Sequence, residues 1–300
     1  MLALDLFCGC GGVGLAMRQS GLQVFGIDKD REALAIYRDV VGECLQGDIA
    51  KLEPKRVWGE RGKLDLLWAS PPCQPWSEGR WYRSDLWGYS VSDGWLLLEP
   101  ARWASELEPR WVIVENVDGI PDEGLAPLTD ALGRQYPYVS ILRLNARDWV
   151  PQNRGHIFVV AGQGYVPLPA SERKTCFADV MDGQGAELVK PEHLRHALRK
   201  RFSTPVITPD DVLPTVVTRS YASRWTCFVM TEAGYLRYPT FLEALRAQGF
   251  PDDHPLRGVH ERKPALAWRL LGNAVPVGLA RAVVEAVMNC DNLIQILQNH

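Results

Sequence analysis

The sequence predicts an α/β fold built on a doubly wound sheet, with a second, smaller domain of irregular structure. Three observations predict it. Apolar runs of strand length recur at 2–7 (LALDLF), 22–27 (LQVFGI), 64–69 (LDLLWA) and 110–114 (RWVIV). Helical or turn segments separate them, the alternation expected of a βαβ chain. Each run ends in glycine or polar residues, at the carboxyl edge where open α/β sheets place ligands.

Taken in order, residues 2–7 form a strand, 8–14 a glycine-rich turn and 15–20 the start of a helix. The strand 22–27 ends at Asp28, and Arg31–Tyr37 has helical character. Gly47-Asp48-Ile49 closes a third strand-to-helix connection. The strand 64–69 runs into the prolines of SPPCQPWS (70–77), residues 95–107 supply a helix, and the strand 110–114 runs into Glu115-Asn116. Further strands are expected at 138–144 and 156–161.

From about 163 the βαβ rhythm stops, and scattered Pro, Gly and charge surround β-like pieces at 214–218 (PTVVT) and 224–230 (RWTCFVM). An apolar helical period returns over 265–289. The expected domains are therefore 1–162 plus 263–300, and 163–262.

Composition narrows the function classes. A 300-residue chain that is 46% apolar can bury a large core. With 33 basic and 36 acidic residues the net charge is -3, so any polyanion site must be local. The seven cysteines are odd in number and lack CxxC spacing, which argues against a disulfide framework and a zinc cluster. No metal is expected. No basic leader and no uninterrupted run of about 20 apolar residues occurs, so the expectation is a cytoplasmic protein without a membrane span.

Gly9, Gly11 and Gly14 stand in GxGxxG spacing between a strand and a helix. Glycines there allow a tight turn and close approach of a ligand to unpaired helix amides. Asp28 sits where a carboxylate accepts ribose hydroxyls, and Asp48 is placed to accept an adenine amine. A nucleoside-containing cofactor follows, and the glycines alone fit a dinucleotide and S-adenosylmethionine equally.

Pro71, Pro72 and Pro75 stiffen the backbone on both sides of Cys73. A thiol aimed by rigid backbone suits nucleophilic addition to a conjugated ring carbon, provided positive charge or amide dipoles favour the thiolate. Arg154 in VPQNRGH is the candidate cation. Glu115 leaves a buried strand on the same sheet edge, where a partly desolvated carboxyl can hold or donate a proton.

These segments resemble the cytosine-5 DNA methyltransferases, in family order along nearly the whole chain. DLFCGCGGVGL, GID and GDI look like cofactor motifs, SPPCQPWS like the nucleophile motif and VENV like the glutamate motif. VPQNRGH resembles a Gln-x-Arg-x-Arg segment, LRAQGFPDD the motif that braces the recognition domain, and LGNAVPV the last cofactor motif.

The resemblance implies a Rossmann-like, S-adenosylmethionine-dependent sheet with a target-recognition domain. It implies that Cys73 adds to carbon 6 of a cytosine flipped from duplex DNA, that Glu115 serves ring nitrogen 3, and that Arg154 orients the nucleotide. Phe7, Asp28, Asp48, Ile49, Pro72, Leu96, Asn273 and Val275 are then expected to line the cofactor pocket, with Gly9 and Gly11. S-adenosylhomocysteine is the implied product. Residues 77–94 become a loop that closes over DNA, carrying Ser77 and Arg80, with Gln152 and His156 as further DNA contacts. A monomer and a cognate restriction endonuclease are also expected.

The chain departs from the family pattern at Lys29, where an aromatic is usual, at Cys8 and Cys10, where small residues are usual, and at His156, which replaces the second arginine of its segment. Between 190 and 224, seven Lys or Arg against three acids leave an excess of +4 suited to phosphates. Arg219 and Arg224 are the expected base-edge contacts. A transfer-RNA substrate is the alternative within the family, although TCF at 226–228 is followed by Val rather than the Thr of that branch. A nicotinamide oxidoreductase leaves PPCQ, ENV and GNAVPV without a purpose, and a catalytically silent DNA-binding relative is the third reading.

Overall fold

The structure is a computed structural model that describes residues 1–76, 88–90, 93–171, 174–199, 204–218 and 227–298. Two compact units divide the chain: Met1–Leu144 with Gly155–Ala170 and Ala280–His300, and Asn145–Arg154 with Ser171–Leu279.

The first unit is built on a seven-stranded sheet. Its strands are β1 (Leu2–Leu6), β2 (Gln23–Asp28), β3 (Cys44–Gln46), β4 (Leu66–Ala69), β5 (Trp111–Val117), β6 (Tyr138–Asn145) and β8 (Gly155–Gly162), with β7 (Gln152–Asn153) outside the sheet. The order is β3-β2-β1-β4-β5-β8-β6. Strands β1 to β5 pair in parallel, and β8 runs antiparallel to β5. The chain reverses its direction of winding between β1 and β4, and at such a switch point the loops beyond two adjacent strands open a crevice.

The central strands are nearly continuous in apolar residues because helices cover the sheet. Leu4, Leu6, Leu67 and Val112 are fully buried, each stabilising the fold by roughly 1.5–3 kcal/mol. Helix α1 (Gly12–Gln19) starts from the glycine turn, and α2 (Arg31–Val40) starts at Asp30, whose carboxylate accepts the amides of Glu32 and Ala33. A short α3 (Pro54–Trp58) precedes β4. The helix expected over 95–107 is a 3-10 turn, Gly94–Leu98, followed by α4 (Glu99–Leu107), with α5 (Asp122–Gly133) after β5.

In the second unit β7 pairs in parallel with β10 (Leu213–Pro214), and β12 (Leu236–Arg237), β11 (Phe228–Met230) and β9 (Val206–Ile207) form a three-stranded sheet. Of the β-like run 214–218 only Pro214 joins a strand. Its end passes Gly272 so closely that a Cβ there would meet the Thr218 nitrogen at 2.5 Å. The helices are α6 (Pro191–Arg199), α7 (Phe241–Ala247), α8 (Leu256–Arg262) and α9 (Pro264–Asn273). Glu243, fully buried, receives the guanidinium of Arg237 on both oxygens at 2.7 and 2.8 Å. Residue 224 of the other expected β piece, with 225 and 226, lies outside the described residues.

The units differ from the expected domains at three places, one of them being 163–170, which belongs to the first unit. Residues 145–154 and 263–279 belong to the second unit. Hydrogen bonds explain the assignment of 145–154 and 263–279: Arg154 donates to the carbonyls of Gly272 and Ala274, and Val277 N–H donates to the carbonyl of Gln248. Helix α10 (Val277–Gln298) begins there and continues in the first unit. The stretch Pro264–Gln298 is long and apolar enough to cross a membrane, and 72% of its most apolar window is buried within the protein.

Candidate active site

The first unit gathers most of the expected groups at the carboxyl ends of β1, β2, β4 and β5. Beyond β1 the backbone turns sharply: Phe7, Gly9 and Gly11 have φ of 58°, 52° and 95°. For a bulky residue such as Phe7 this left-handed conformation costs on the order of 1–3 kcal/mol, a strain that tends to collect at functional sites. A Cβ added at Gly9 would meet nothing within 4 Å, so the turn has open space beside it. Gly14 serves packing instead, since a Cβ there would lie 2.8 Å from the Tyr37 hydroxyl.

Asp28 ties the turn to β2. Its carboxylate accepts the Gly9 amide at 2.9 Å and the Asp30 amide at 2.8 Å. Burial raises its pKa, against the pull of those amides. Each carboxylate oxygen has a second lone pair, which suits a ribose hydroxyl. Asp48 accepts the amide of Ala50 and an ion pair from Lys51 at 3.4 Å. Ile49 is buried, and its carbonyl is held by Arg102 at 2.8 Å and the Trp103 indole at 3.3 Å. Leu96 is buried on the 3-10 turn and Pro72 is half-buried.

Asp5, fully buried within β1, was not anticipated as a notable group. Burial, with Asp28 nearby, raises its pKa well above the carboxylate range, despite the Tyr37 hydroxyl and the Gly14 amide. Its signal in the sequence is a lone acid inside an apolar strand.

The Cys73 segment is held from both sides. Parallel pairing sets Leu6 beside Ala69 and Ala69 beside Val114, so the residues beyond β4 emerge next to Glu115-Asn116. Ser70 N–H donates to the Leu6 carbonyl at 3.1 Å, and Asn116 Nδ2 donates to the Pro71 carbonyl at 3.0 Å. Trp76 N–H closes a turn on the Cys73 carbonyl at 2.9 Å, and Trp76 is buried. Cys73 itself is half-buried. Asn116 was missed by sequence reasoning; the ENV tripeptide drew attention only to its glutamate.

Glu115 is 6% exposed at the end of β5. Its Oε1 lies 2.7 Å from Nδ1 of His156, which is 1% exposed and stacks on Phe158 at 6.2 Å. His156, expected among the DNA contacts, is here a buried partner of Glu115. The antiparallel register explains it, because β8 pairs with β5 from Val112–Ala161 to Val117–His156 and so delivers the imidazole to the glutamate's end of the strand.

Arg154, Gln152, Asn273 and Val275 belong to the second unit. Arg154 directs Nη1 to the Ala274 carbonyl at 3.0 Å and Gln248 Oε1 at 3.4 Å, and Nη2 to the Gly272 carbonyl at 3.1 Å. It thereby joins the VPQNRGH, LRAQGFPDD and LGNAVPV segments, with Asn273 exposed and Val275 buried beside it in sequence. Gln152, expected at the DNA, is instead fully buried on β7. Neither of its side-chain polar atoms finds a partner among the described residues. Ser77, Arg80, Arg219 and Arg224 lie outside the described residues.

Comparison with known proteins places this geometry. The profile of the C-5 cytosine-specific DNA methylase family matches residues 1–177. The chain is 28% identical to the Type II methyltransferase M.AplI of Arthrospira platensis, covering 96% of this chain and 85% of that protein. It is 26% identical to the Type II methyltransferase M.HpaII of Haemophilus parainfluenzae, covering 95% and 88%. Among solved structures, the Entamoeba histolytica methyltransferase EhMeth superposes with a TM-score of 0.79 at 17% identity, over 96% of this chain and 98% of that one. The S. pombe Dnmt2 methyltransferase does so with a TM-score of 0.73 at 19% identity, over 96% and 98%. The structural likenesses carry the fold, the profile spans more than half of the sequence, and the chain belongs to the C-5 cytosine-specific DNA methylase family.

Proposed function

We propose that this enzyme methylates carbon 5 of cytosine in duplex DNA, with Cys73 as the nucleophile and Glu115 as the group that serves ring nitrogen 3. The observation that carries this reading is the joint anchoring of the two segments: the strand that ends in Glu115 also holds, through Asn116, the carbonyl of Pro71 ahead of Cys73.

S-adenosylmethionine fits the residues present. The open space at Gly9 lies beside the strained Phe7 and the Asp28 carboxylate, which supplies a hydrogen-bond acceptor next to room for a ligand. Phe7, Asp28 and Ile49 would hold the nucleoside, and the cofactor, when bound, supplies an electrophilic methyl group. The chain's own residues do the rest. The extruded base meets Cys73, whose sulfur bonds carbon 6 and makes carbon 5 nucleophilic. Glu115 holds the ring at nitrogen 3, which favours that addition. Once carbon 5 carries the methyl group, its proton passes to a solvent base, the C–H pair re-forms the C5=C6 double bond, and Cys73 leaves as the thiolate that first added.

Full-length similarity to Type II methyltransferases favours DNA over transfer RNA as the substrate and suggests a restriction partner. The test is incubation with duplex DNA bearing 5-fluorocytosine at sites the enzyme methylates. A cofactor-dependent adduct that survives denaturation and is lost in Cys73→Ala is expected. Methyl incorporation into transfer RNA, with none into duplex DNA, would replace this reading with the RNA one.

A further inference from the structure

The turn that follows Cys73 is held by a residue well outside it. Trp76 N–H closes that turn on the Cys73 carbonyl at 2.9 Å, and the buried Trp76 ring lies in a slot with two walls that carry no side chain. A Cβ at Gly88 would meet Trp76 Cζ3 at 2.8 Å, and one at Gly124 would meet the same atom at 2.9 Å. Gly124 belongs to α5, and Gly88 opens a 3-10 turn, Gly88–Ser90, with φ of 62°, so a side chain there would be strained as well as obstructed.

Tyr89 closes the slot. Its ring meets Trp76 edge to face, with centroids 4.9 Å apart and planes at 86°, a favoured arrangement for two aromatics. Its hydroxyl donates to the Gly124 carbonyl at 3.0 Å, which ties Trp76 to the first turn of a helix. Burial pushes the Tyr89 phenol up to about 12, so the hydroxyl stays a donor at neutral pH. Gly88 N–H donates to the Pro75 carbonyl at 2.9 Å and joins the same 3-10 turn to the residue before Trp76.

We propose that Tyr89 is a positioning residue for methyl transfer that acts through Trp76: its ring and hydroxyl hold the indole against Gly88 and Gly124, and the turn closed by Trp76 N–H then presents Cys73 to the base. This rests on the cytosine reading above. The role needs no contact between Tyr89 and either the base or the cofactor. It acts on geometry alone, and a displacement of about 1 Å in a reacting group can cost on the order of 100-fold in rate.

The arrangement separates the aim of the thiol from cofactor binding. The 3-10 turn that carries Leu96 packs on the backbone of residues 88 and 89: a Cβ at Gly94 would lie 2.0 Å from the Gly88 carbonyl oxygen and 2.9 Å from the Tyr89 Cα. Removal of the Tyr89 side chain leaves that backbone contact in place. Tyr89 is also 36% exposed, so its truncation opens the Trp76 slot from the surface and creates no closed cavity in the core.

The experiment compares single-turnover methylation of duplex DNA, at saturating DNA and S-adenosylmethionine, by wild type, Tyr89→Ala and Tyr89→Phe, after the wild type has been shown to form the 5-fluorocytosine adduct. Tyr89→Ala should lose on the order of 10- to 100-fold in rate while S-adenosylhomocysteine affinity by calorimetry stays within about threefold. Tyr89→Phe keeps the edge-to-face contact and loses only the tie to Gly124, so it should recover to within about tenfold of the wild type. A wild-type rate in Tyr89→Ala, or a loss of cofactor affinity as large as the loss of rate, would overturn the proposal and leave the cytosine reading standing. Failure of the wild type to form the adduct removes both. Should Tyr89→Ala fold poorly, Gly124→Ala tests the slot from its opposite wall: alanine favours the helix, and its Cβ displaces the Trp76 ring. A fall of about tenfold or more in rate with cofactor affinity kept is expected, and a wild-type rate overturns the proposal.

Discussion

Asn116 donates its side-chain amide to the carbonyl of Pro71 at 3.0 Å, so one strand end positions both the glutamate and the cysteine segment. The same side chain accepts the Val117 amide at 2.9 Å, which fixes its orientation. Asn116→Ala leaves a buried carbonyl without its donor, at about 1–3 kcal/mol, and loosens the aim of Cys73. Methyl transfer should slow by roughly 10- to 100-fold while S-adenosylhomocysteine binding by calorimetry stays within a few-fold. An unchanged single-turnover rate would show that the tie does not aim the thiol.

Cys73→Ser or Cys73→Ala should nearly abolish methyl transfer and leave cofactor binding intact. Tritiated methyl incorporation measures the first and calorimetry the second. Wild-type incorporation by either variant would remove Cys73 from the chemistry.

Glu115→Gln keeps the shape of the side chain and removes its ability to give a proton. Catalysis should slow by about 10²- to 10⁴-fold, with DNA affinity changed far less. A variant that bound DNA weakly but reacted at the wild-type rate when saturated would assign Glu115 to binding alone.

Gly26→Ala tests the packing beneath the glycine turn. The added Cβ would lie 2.4 Å from Tyr37 Cζ, and Tyr37 is fully buried. Overpacking of this kind costs about 1–3 kcal/mol, so the melting temperature should drop by several degrees. A melting temperature equal to the wild type's would mean that the ring moves freely.

The buried His254 should make the stability of the second unit acid-sensitive. The residue is 2% exposed, and burial pushes its imidazole down to about 4 from 6.5, with Asp253 opposing. The folded state thus prefers the neutral ring, and the unfolded chain binds the proton first as pH falls. Stability from this group is complete above pH 6.5 and is lost on the way to pH 4, up to about 3 kcal/mol. The urea midpoint should fall less between pH 7 and 4.5 in His254→Asn than in the wild type. Equal falls in both proteins would place the acid sensitivity elsewhere.

The sequence alone determined the local chemistry. Apolar runs of strand length, GxGxxG spacing and prolines around Cys73 act through backbone geometry over a few residues, so the sheet, the turn and the stiffened segment were legible without coordinates. Tertiary structure decided what depends on register and on contacts between distant parts of the chain. Antiparallel pairing of β8 with β5 turned His156 from an expected DNA contact into the partner of a glutamate 41 residues away. Arg154 gathered segments 94 to 120 residues distant and drew 145–154 and 263–279 into the second unit. Gln152, expected among the DNA contacts, is fully buried on its strand. Side-chain type shows what a residue can bond to; only the folded path of the backbone determines which partner it meets.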